Sequence, residues 1–318
     1  MSTVAVIGSG AWATVSSMLL SNAGHSVVQW VHRSDYLDAI NNHHINHLTL
    51  PNVTLPVSIR ATMNVEELNN IDHWVVAIPA SFLPTLPFSP SHQSIISLIK
   101  GVAVSTTHHL AMSALSDQWG RPIAVLSGPN LAAELASGQV GAAVVASDDP
   151  HLSKTFQTLF SSTQFRVYTS TDPLGVSYGG VLKNIYAVAA GIVDGLGFGM
   201  NAKAALMTRA LSEMTRIGVS MGAKAETFYG LSGVGDLMAT AYSPLSRNWQ
   251  SGFAMGQGNE PSLPNRGVAE GIRSIQALSP LLKGMNTPIL TALTDIITHQ
   301  KSVQDVVGYL MSRDLKAE

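Results

Sequence analysis

The stretch VAVIGSGAWATVSSMLL, residues 4–20, joins one apolar run to another through a glycine-rich turn. Gly8 and Gly10 leave the predicted strand, and Ala13 takes the third place of the pattern G-x-G-x-x-G/A at the start of the predicted helix. Glycines at such a turn let the backbone approach a pyrophosphate closely, and the helix N-terminus favours its negative charge. The stretch therefore predicts a dinucleotide-binding strand–turn–helix unit; the alternative is an ordinary glycine-rich turn without a ligand.

Short β-branched and apolar runs alternate with helical segments through the first half of the chain, which is the pattern of a parallel sheet. Several of these runs are apolar throughout, as expected for strands that are covered on both faces. The predicted strands are 3–8, 26–31, 73–78, 94–99, 123–128, 142–147 and 165–170. Between them, Asn64 and Glu67 in the sequence NVEE predict a capping box at the start of a helix.

The second half of the chain has a helical pattern, and no strand is predicted after about residue 172. The predicted helices are 201–222, 226–241, 266–282, 288–299 and 302–312. We therefore predict an α/β fold in which an N-terminal Rossmann-like doubly wound sheet, residues 1–184, is followed by an all-helical C-terminal domain, residues 185–318. The segment 256–267 is rich in Gly, Pro and Asn and is predicted to be a mobile loop.

The composition of the 318 residues favours a globular protein that binds a small molecule. Hydrophobic residues make up 46% and charged residues 12%, which predicts a large buried core. The formal net charge of -2 offers no concentrated basic surface, so neither nucleic acid nor an anionic membrane is an expected partner. The chain has no cysteine, no signal-peptide pattern and no apolar run approaching about 20 residues, so we expect a cytoplasmic protein without membrane insertion.

Three histidines, His43, His44 and His47, lie close together in the sequence NHHINH. On a helix, His43 and His47 would share a face, as two metal ligands can. The segment lacks the glutamate of the H-E-x-x-H pattern, and the chain offers no cysteine ligand. We therefore predict a polar surface segment and no metal site.

The end of the second predicted strand bears on the choice of cofactor. In dinucleotide-binding folds an acidic residue at this place binds the ribose hydroxyls of NAD, whereas an arginine accommodates the 2′-phosphate of NADP. The sequence here is QWVHRSD, residues 29–35, in which His32 and Arg33 replace the acid and Asp35 follows two positions later. The pattern slightly favours NADP, and Asp35 keeps NAD open.

A lysine stands inside the long apolar stretch DPLGVSYGGVLKNIYAVAAGIVDG, residues 172–195, which predicts a helix surrounded by protein on most sides. Lys183 and Asp194 face the same side of this helix but lie about 16 Å apart along its axis, too far to pair. An unpaired ammonium group is costly to bury and loses its proton more easily, so Lys183 is a candidate proton donor and acceptor. The alternatives are that it reaches a surface or pairs with a carboxylate from elsewhere.

Further polar residues stand where α/β folds bind ligands. Lys100 follows a predicted strand, and Gly128 and Asn130 lie between another strand and a helix. In YSPLSRN, residues 242–248, an arginine lies between serine and asparagine, a grouping suited to phosphate because guanidinium can bind it through two hydrogen bonds. Each residue alone could equally be a loop residue or a helix cap, and only their joint occurrence predicts a site.

These residues belong to motifs that run through nearly the whole chain. The motifs are GSGAWAT (8–14), KG (100–101), SGPNLAAELASG (127–138), GVLKNIYAVAAGIVDGLGFGMNAKAALMTRALSEMTRIG (180–218), GLSGVGDLMATAYSPLSRN (230–248) and GVAEGI (267–272). In these motifs the chain resembles the bacterial-type NAD(P)-dependent glycerol-3-phosphate dehydrogenases. The two long blocks are far more specific than a glycine fingerprint.

The resemblance implies reversible reduction of dihydroxyacetone phosphate to sn-glycerol 3-phosphate with NAD(P)H, which feeds glycerophospholipid synthesis. It implies that Lys183 donates a proton in ketone reduction and accepts one in alcohol oxidation. The implied substrate-binding residues are Lys100, Gly128, Asn130, Asp236, Ser246, Arg247 and Asn248. The implied cofactor-binding residues are Gly8, Gly10, Ala11, Trp12, His32, Arg33, Lys100, Ala132, Arg247 and Glu270. The expected partner is the small phosphorylated substrate, and a homodimer is left open.

The chain departs from the family pattern at several of these positions. Ala11 stands where serine is usual, Ala13 replaces the third glycine, and Asn130 stands where serine or threonine is usual. Ala133 replaces a common lysine, and SRNWQSG, residues 246–252, lacks the basic residues that often follow the Arg-Asn pair, which predicts weaker phosphate or cofactor binding. Two other functions stay open: a related dehydrogenase of another small oxo- or hydroxy-acid, and a non-catalytic dinucleotide sensor.

Overall fold

The structure is a computed structural model that describes residues 1–103, 110–261 and 268–312. Residues 262–267, half of the predicted mobile loop 256–267, therefore lie outside the described residues. The strands are β1 (Thr3–Ile7), β2 (Ser26–Trp30), β3 (Ile45–Asn46), β4 (Leu50–Thr54), β5 (Ile59–Thr62), β6 (His73–Val76), β7 (Ser94–Ser97), β8 (Ala124–Ser127), β9 (Gly141–Ala146) and β10 (Phe165–Ser170). The α-helices are α1 (Ala11–Asn22), α2 (Ser34–His43), α3 (Ala111–Trp119), α4 (Ala132–Ala136), α5 (Pro150–Phe160), α6 (Pro173–Gly195), α7 (Met200–Ser220), α8 (Asp236–Ala241), α9 (Arg247–Gly256), α10 (Glu270–Leu278), α11 (Pro288–Ile297) and α12 (Val303–Met311).

An eight-stranded sheet forms the N-terminal half, in the order β10-β9-β8-β7-β6-β1-β2-β5. Neighbouring strands run parallel, except that β8 and β9 pair antiparallel. Ile7 lies opposite Trp30 on one side and Val76 on the other, so β1, β2 and β6 end at the same edge of the sheet. Their inner residues are buried, which explains their apolar sequences.

The predicted Rossmann-like sheet followed by helices is confirmed, and each predicted strand is present with ends that differ by no more than two residues. The short strands β3, β4 and β5 were not predicted. The sequence of β5 is IRAT, and this strand lies at the edge of the sheet with Arg60 exposed. It therefore lacks the continuous apolar pattern of the inner strands.

Two local predictions are wrong. Asn64 and Glu67 form no capping box, because the Glu67 carboxylate accepts hydrogen bonds from Arg60 at 2.6 Å and Thr62 at 2.8 Å instead. The predicted helix 226–241 is broken by three glycines, which favour other backbone conformations. It consists of a 3-10 turn (Ala225–Tyr229), a π-helical turn (Leu231–Gly235) and α8.

The histidine segment also differs from the helix considered for it. Helix α2 ends at His43, and His44 takes a left-handed conformation with φ of 52°. His43 and His47 therefore do not share a helix face. Within the described ranges, no group of three His, Cys, Asp or Glu side chains is arranged to hold a metal ion.

Helix α6 is the element that contacts both halves of the chain. It begins where the Asp172 side chain accepts a hydrogen bond from the Gly175 N–H at 2.9 Å and where Pro173 occupies the first turn. It packs against β8 and against α7, α8, α9 and α10. It has the length and hydropathy of a membrane span, yet 89% of its apolar window is buried inside the protein. The predicted domain boundary at residue 184 falls within this helix.

Helices α6 and α9 approach each other closely along glycines spaced four residues apart. A Cβ atom added at Gly191 would lie 2.1 Å from the carbonyl oxygen of Trp249, and one at Gly252 would lie 2.0 Å from that of Val188. Gly195 and Gly256 have similarly short distances to the facing backbone. Small residues with this spacing allow two helix backbones to pack at short range. The glycines therefore fix the position of α9 on α6.

Asp194 lies near the C-terminal end of α6, away from Lys183. Its carboxylate accepts hydrogen bonds from Lys203 Nζ and from Trp249 Nε1, each at 2.6 Å. The Lys203 ammonium group also lies 4.3 Å from the centroid of the Tyr242 ring, within the range of a cation–π contact. Asp194 therefore ties α6 to α7 and α9, the structural role that its distance from Lys183 suggested.

Replacing Gly252 with alanine is expected to destabilise the protein, because the new methyl group would overlap the Val188 carbonyl. Overpacking of this kind costs about 1–3 kcal/mol. Thermal unfolding followed by circular dichroism should give a lower Tm for Gly252→Ala than for the wild type.

The matched control is Gly308→Ala, since Gly308 lies within α12 and has no atom within 4 Å of an added Cβ. Alanine is favoured over glycine in a helix by up to about 1 kcal/mol, so this Tm should stay the same or rise. Equal Tm values for the two variants would contradict the close packing of α6 on α9.

Candidate active site

A single carboxylate, that of Asp236, lies between two lysine ammonium groups at the junction of the sheet and the helices. Lys183 Nζ donates to Asp236 Oδ1 at 2.7 Å, and Lys100 Nζ donates to Oδ2 at 2.6 Å. Asp236 is 1% exposed and Lys183 is 8% exposed. Lys183 therefore neither reaches the surface nor stays unpaired: it pairs with a carboxylate from elsewhere, one of the alternatives that the sequence left open.

The three charged residues come from three different elements. Lys100 follows β7 at the carboxyl end of the sheet, and Lys183 lies midway along α6. Asp236 is the first residue of α8 and follows the π-helical turn Leu231–Gly235. A Cβ atom added at Gly179 would lie 2.4 Å from the Ser232 carbonyl oxygen, so a glycine on α6 allows this turn to approach the helix. The π-helical turn that interrupts the predicted helix thus positions Asp236 within hydrogen-bonding distance of the two lysines.

Hydroxyl and carbonyl groups complete the hydrogen bonds of the buried charges. Thr240 Oγ1 accepts from Lys183 Nζ at 2.7 Å and donates to Asp236 Oδ1 at 3.2 Å. Lys100 Nζ donates to the Gly128 carbonyl at 3.1 Å. Thr240 was not among the predicted site residues, although its position four residues after Asp236 on a helix places both on one face.

The three charges act strongly on one another. The pKa of Lys100 is lowered to about 8. Burial is the main cause and the Lys183 ammonium group acts in the same direction, while Asp236 opposes the change. Burial by itself would raise the pKa of Asp236, but the two ammonium groups outweigh this effect and hold that pKa below its ordinary value. Asp236 is therefore an anion at neutral pH, and Lys100 changes its charge in the range where an enzyme works.

Hydrogen bonds of two side-chain amides, those of Asn184 and Asn248, connect the Lys183–Asp236–Lys100 cluster to α9 and α10. Asn184 Nδ2 donates to the Lys100 carbonyl at 3.1 Å, and Asn248 Nδ2 donates to Asn184 Oδ1 at 2.8 Å. The Gly271 N–H donates to Asn248 Oδ1 at 2.8 Å. Asn248, a predicted substrate residue, thus already uses its oxygen and one N–H within the protein. Asn184 was missed, although it directly follows the predicted lysine.

The predicted phosphate residues gather at the first turn of α9. Ser246 caps this helix by accepting a hydrogen bond from the Trp249 N–H at 3.3 Å. Arg247 is exposed and forms no ion pair within the described part of the chain. Its guanidinium group is therefore available to an anionic ligand, next to a helix N-terminus that also favours negative charge.

Gly128 and Asn130 lie between β8 and α4. Gly128 has φ of 157°, and a Cβ atom added there would lie 2.8 Å from the Ala142 carbonyl oxygen. Asn130 Nδ2 donates to the same oxygen at 3.1 Å, while its Oδ1 is buried without a hydrogen-bond partner among the described residues. The structure thus brings the Gly128 carbonyl to Lys100 but anchors the Asn130 amide in the sheet.

The glycine-rich turn has the shape that a pyrophosphate requires. Gly8 has φ of 135°, and a Cβ atom added there would lie 2.3 Å from the Ala77 carbonyl oxygen, so only glycine fits. Gly10 begins α1 without a side-chain cap, which leaves the first N–H groups of this helix free for an anion. Trp12 Nε1 is buried and has no hydrogen-bond partner within the described ranges. The residues present therefore fit a dinucleotide.

The other predicted cofactor residues lie near this turn or beside Lys100. Ala11, Trp12 and Ala132 pack against one apolar cluster, and His32 Nδ1 lies 3.2 Å from the Ser9 hydroxyl. Arg33, also exposed, pairs with Asp35. Glu270 begins α10 beside Lys100: a Cβ atom added at Gly101 would lie 3.6 Å from the Glu270 carboxylate.

Two family models together match most of the chain. The model described as NAD-dependent glycerol-3-phosphate dehydrogenase N-terminus matches residues 3–153, and the corresponding C-terminus model matches residues 172–308. The chain belongs to the NAD-dependent glycerol-3-phosphate dehydrogenase family. The buried Lys183–Asp236–Lys100 cluster joins the parts of the chain that the two family models cover.

Relatives of the same family align over the full length. Glycerol-3-phosphate dehydrogenase [NAD(P)+] of Exiguobacterium sp. is 40% identical, over 100% of this chain and 97% of the relative. The enzyme of the same name from Corynebacterium glutamicum is 39% identical over 100% of both chains. The crystal structure of glycerol-3-phosphate dehydrogenase from Coxiella burnetii superimposes with a TM-score of 0.90 at 30% identity, covering 98% of this chain and 99% of that chain.

The substitution Asp236→Asn is expected to destabilise the protein strongly, because it leaves two buried ammonium groups without their shared anion. Removing one partner of a buried ion pair costs about 3–5 kcal/mol. The free energy of unfolding, measured by denaturant titration at pH 7, should fall accordingly.

The control is Asp295→Asn, which makes the same chemical change in an ion pair with Lys301, whose side chain is 44% exposed. The Asp295 side chain is 17% exposed against 2% for Asp236, so this pair is better hydrated and should contribute less. If the two variants lose the same stability, Asp236 is not the anion that the buried lysines require.

Proposed function

We propose that the chain is an NAD(P)-dependent glycerol-3-phosphate dehydrogenase that reversibly reduces dihydroxyacetone phosphate to sn-glycerol 3-phosphate and so feeds glycerophospholipid synthesis. The observation that carries the proposal is the buried pair of lysines on Asp236, which Asn184 and Asn248 link to helix α9 and its N-terminal Arg247. Full-length relatives bear this enzyme name. In this proposal residues 1–184 hold the dinucleotide and residues 185–318 complete the substrate site, with α6 shared between them.

Lys183 is the proposed proton donor and acceptor. Asp236 and Thr240 bind its Nζ at 2.7 Å each, which leaves one N–H of the ammonium group for the reacting oxygen. The bound nicotinamide supplies hydride transfer. As negative charge develops on the substrate oxygen, Lys183 gives it a proton, and in the reverse direction Lys183 accepts that proton from the alcohol. The apolar residues around Lys183 exclude water from this step.

The proposed phosphate site combines cations with backbone donors. Lys100 and Arg247 supply positive charge, and the N-terminus of α9 supplies N–H groups. The proposed substrate-binding residues are Lys100, Gly128, Asn130, Asp236, Ser246, Arg247 and Asn248. The proposed cofactor-binding residues are Gly8, Gly10, Ala11, Trp12, His32, Arg33, Lys100, Ala132, Arg247 and Glu270. A cytoplasmic location and a homodimer are part of the same proposal.

Two other functions fit less well. A dehydrogenase of another small oxo- or hydroxy-acid would need a carboxylate clamp at the place where Arg247 and the N-terminus of α9 combine a guanidinium group with helix N–H groups, a combination suited to phosphate. A non-catalytic dinucleotide sensor would have no use for three buried charged groups, and burying them costs several kcal/mol per ion before pairing. Both alternatives predict cofactor binding without turnover of dihydroxyacetone phosphate in the assay below, and turnover of another oxo- or hydroxy-acid would separate them.

Purified protein is expected to oxidise NADPH or NADH with dihydroxyacetone phosphate, and Lys183→Ala should lower kcat by about 10²–10⁴-fold, the usual contribution of a general acid. Binding of the cofactor, followed by its fluorescence, should remain. Lys154→Ala, which removes an exposed lysine on α5, is the control and should keep wild-type turnover. Cofactor binding without turnover of dihydroxyacetone phosphate in the wild type would reject the proposed substrate in favour of one of the two alternatives, and unchanged kcat in Lys183→Ala would reject the proton-transfer role.

The KM for dihydroxyacetone phosphate is expected to rise between pH 7 and pH 9. The pKa of Lys100 is lowered to about 8, so its ammonium group is present below this pH and is lost above it. The charged groups nearest to it, Asp236, Lys183 and Glu270, set this value together with burial. Loss of a cation weakens the attraction for the phosphate.

The steady-state KM, measured at several pH values, checks this expectation. Lys100→Arg should flatten the rise, because guanidinium keeps its charge to above about pH 12. The same slope in the wild type and in Lys100→Arg would assign the pH dependence to another group.

A further inference from the structure

The junction of β2 and α2 lies directly beside the glycine-rich turn. The Gly8 N–H donates to the Trp30 carbonyl at 3.1 Å, and the Ser9 hydroxyl lies 3.2 Å from His32 Nδ1. Arg33 is the N-cap residue of α2, and Asp35 stands in the first turn of that helix. The end of β2 is where dinucleotide-binding folds recognise the adenosine ribose.

Asp35 places its own carboxylate where Arg33 would bind an external anion. Arg33 Nε donates to Asp35 Oδ1 at 3.1 Å, and Arg33 Nη2 contacts the other carboxylate oxygen. The Tyr36 N–H also donates to Oδ1 at 2.9 Å, and the N-terminus of α2 favours a negative charge there. The guanidinium lies 5.5 Å from the Tyr36 ring centroid. An internal anion thus occupies a site composed of an arginine and a helix N-terminus.

We propose that Asp35 sets the cofactor preference by competing with the 2′-phosphate of NADP for Arg33. The inference rests on the proposed function, since it concerns the cofactor site of that dehydrogenase. NADP has to displace the Asp35 carboxylate from Arg33 and then bear its negative charge nearby. NAD meets no such competition, and the same carboxylate is a suitable acceptor for ribose hydroxyl groups.

The exposure of the Arg33–Asp35 ion pair determines whether Asp35 prevents NADP from binding or only weakens its binding relative to NAD. The side chains of Arg33 and Asp35 are 55% and 40% exposed. Ion pairs this exposed contribute only about 0–1 kcal/mol, so a phosphate dianion can break the pair. The chain therefore uses both cofactors, with a preference that depends on Asp35.

The test is equilibrium binding of NADPH and NADH to the intact protein, followed by cofactor fluorescence, together with calorimetric titration of 2′,5′-ADP and of 5′-AMP. Asp35→Asn should shift the ratio of the two Kd values toward NADPH by about tenfold, and 2′,5′-ADP should gain affinity while 5′-AMP does not. A tenfold change corresponds to about 1.4 kcal/mol. Arg33→Ala should shift the ratio in the opposite direction.

The double variant isolates the competition. In the Arg33→Ala background, Asp35→Asn should no longer improve the binding of 2′,5′-ADP by more than about twofold, because the cation for which the two anions compete is gone. An equal gain in both backgrounds would mean that Asp35 repels the phosphate independently of Arg33, and the proposal would be wrong.

Asp38→Asn is the matched control. Asp38 lies on the same helix, its side chain is 61% exposed, and the substitution makes the same change in net charge. The ratio of Kd values should stay within about twofold of the wild type. If Asp35→Asn also leaves the ratio unchanged while both cofactors bind, the inference is overturned. If neither cofactor nor 2′,5′-ADP binds to the wild type, the failure lies with the proposed function instead.

Discussion

The sharing of one buried carboxylate by two lysines is the interaction on which the site depends. Asp236 neutralises a single positive charge, so Lys183 and Lys100 together leave the cluster with a net positive charge inside the protein. An arrangement of this kind is poorly stable by itself, because each buried ion loses its hydration. It becomes favourable when an anion enters, and a phosphorylated substrate is such an anion. In the proposed function, this excess charge is part of the substrate site.

The helical half holds these charges at short distances through backbone contacts as well as side chains. The glycines of α6 and α9 bring the two helices so close that Asn248 reaches Asn184, the residue next to Lys183. Asn184 in turn binds the carbonyl of Lys100, which comes from the sheet. A displacement of α9 would thus move Asn184, which adjoins Lys183 in the chain and is hydrogen-bonded to the Lys100 carbonyl. This explains how a site formed by several separate elements keeps distances near 2.7 Å.

Much of this architecture follows from the sequence, and the exceptions have physical causes. The inner strands and the glycine turn were predictable because burial on both faces and a backbone conformation restricted to glycine each leave a local pattern. The pairing of Asp236 with Lys183 was not predictable, since the two residues lie 53 positions apart and only the folded chain brings them together. The capping box at Asn64 was wrong for a local reason: Arg60, on the unpredicted strand β5, binds the Glu67 carboxylate instead. Thr240 and Asn184 could be inferred only from their positions relative to Asp236 and Lys183, after those two residues had been assigned to the site.

Lys183 and Lys100 have different hydrogen-bond partners, which suggests different roles for the two lysines. Lys183 has a carboxylate and a hydroxyl as partners and belongs to a long helix, whereas Lys100 has the carboxylate and a carbonyl and follows a strand end. Burial lowers the pKa of Lys100 to about 8, so a nearby anion changes the charge of this group near that pH. A phosphate dianion favours the ammonium form, so substrate binding near pH 8 is coupled to uptake of a proton. In the proposed function, the charge that completes the phosphate site is in this way supplied when the substrate arrives.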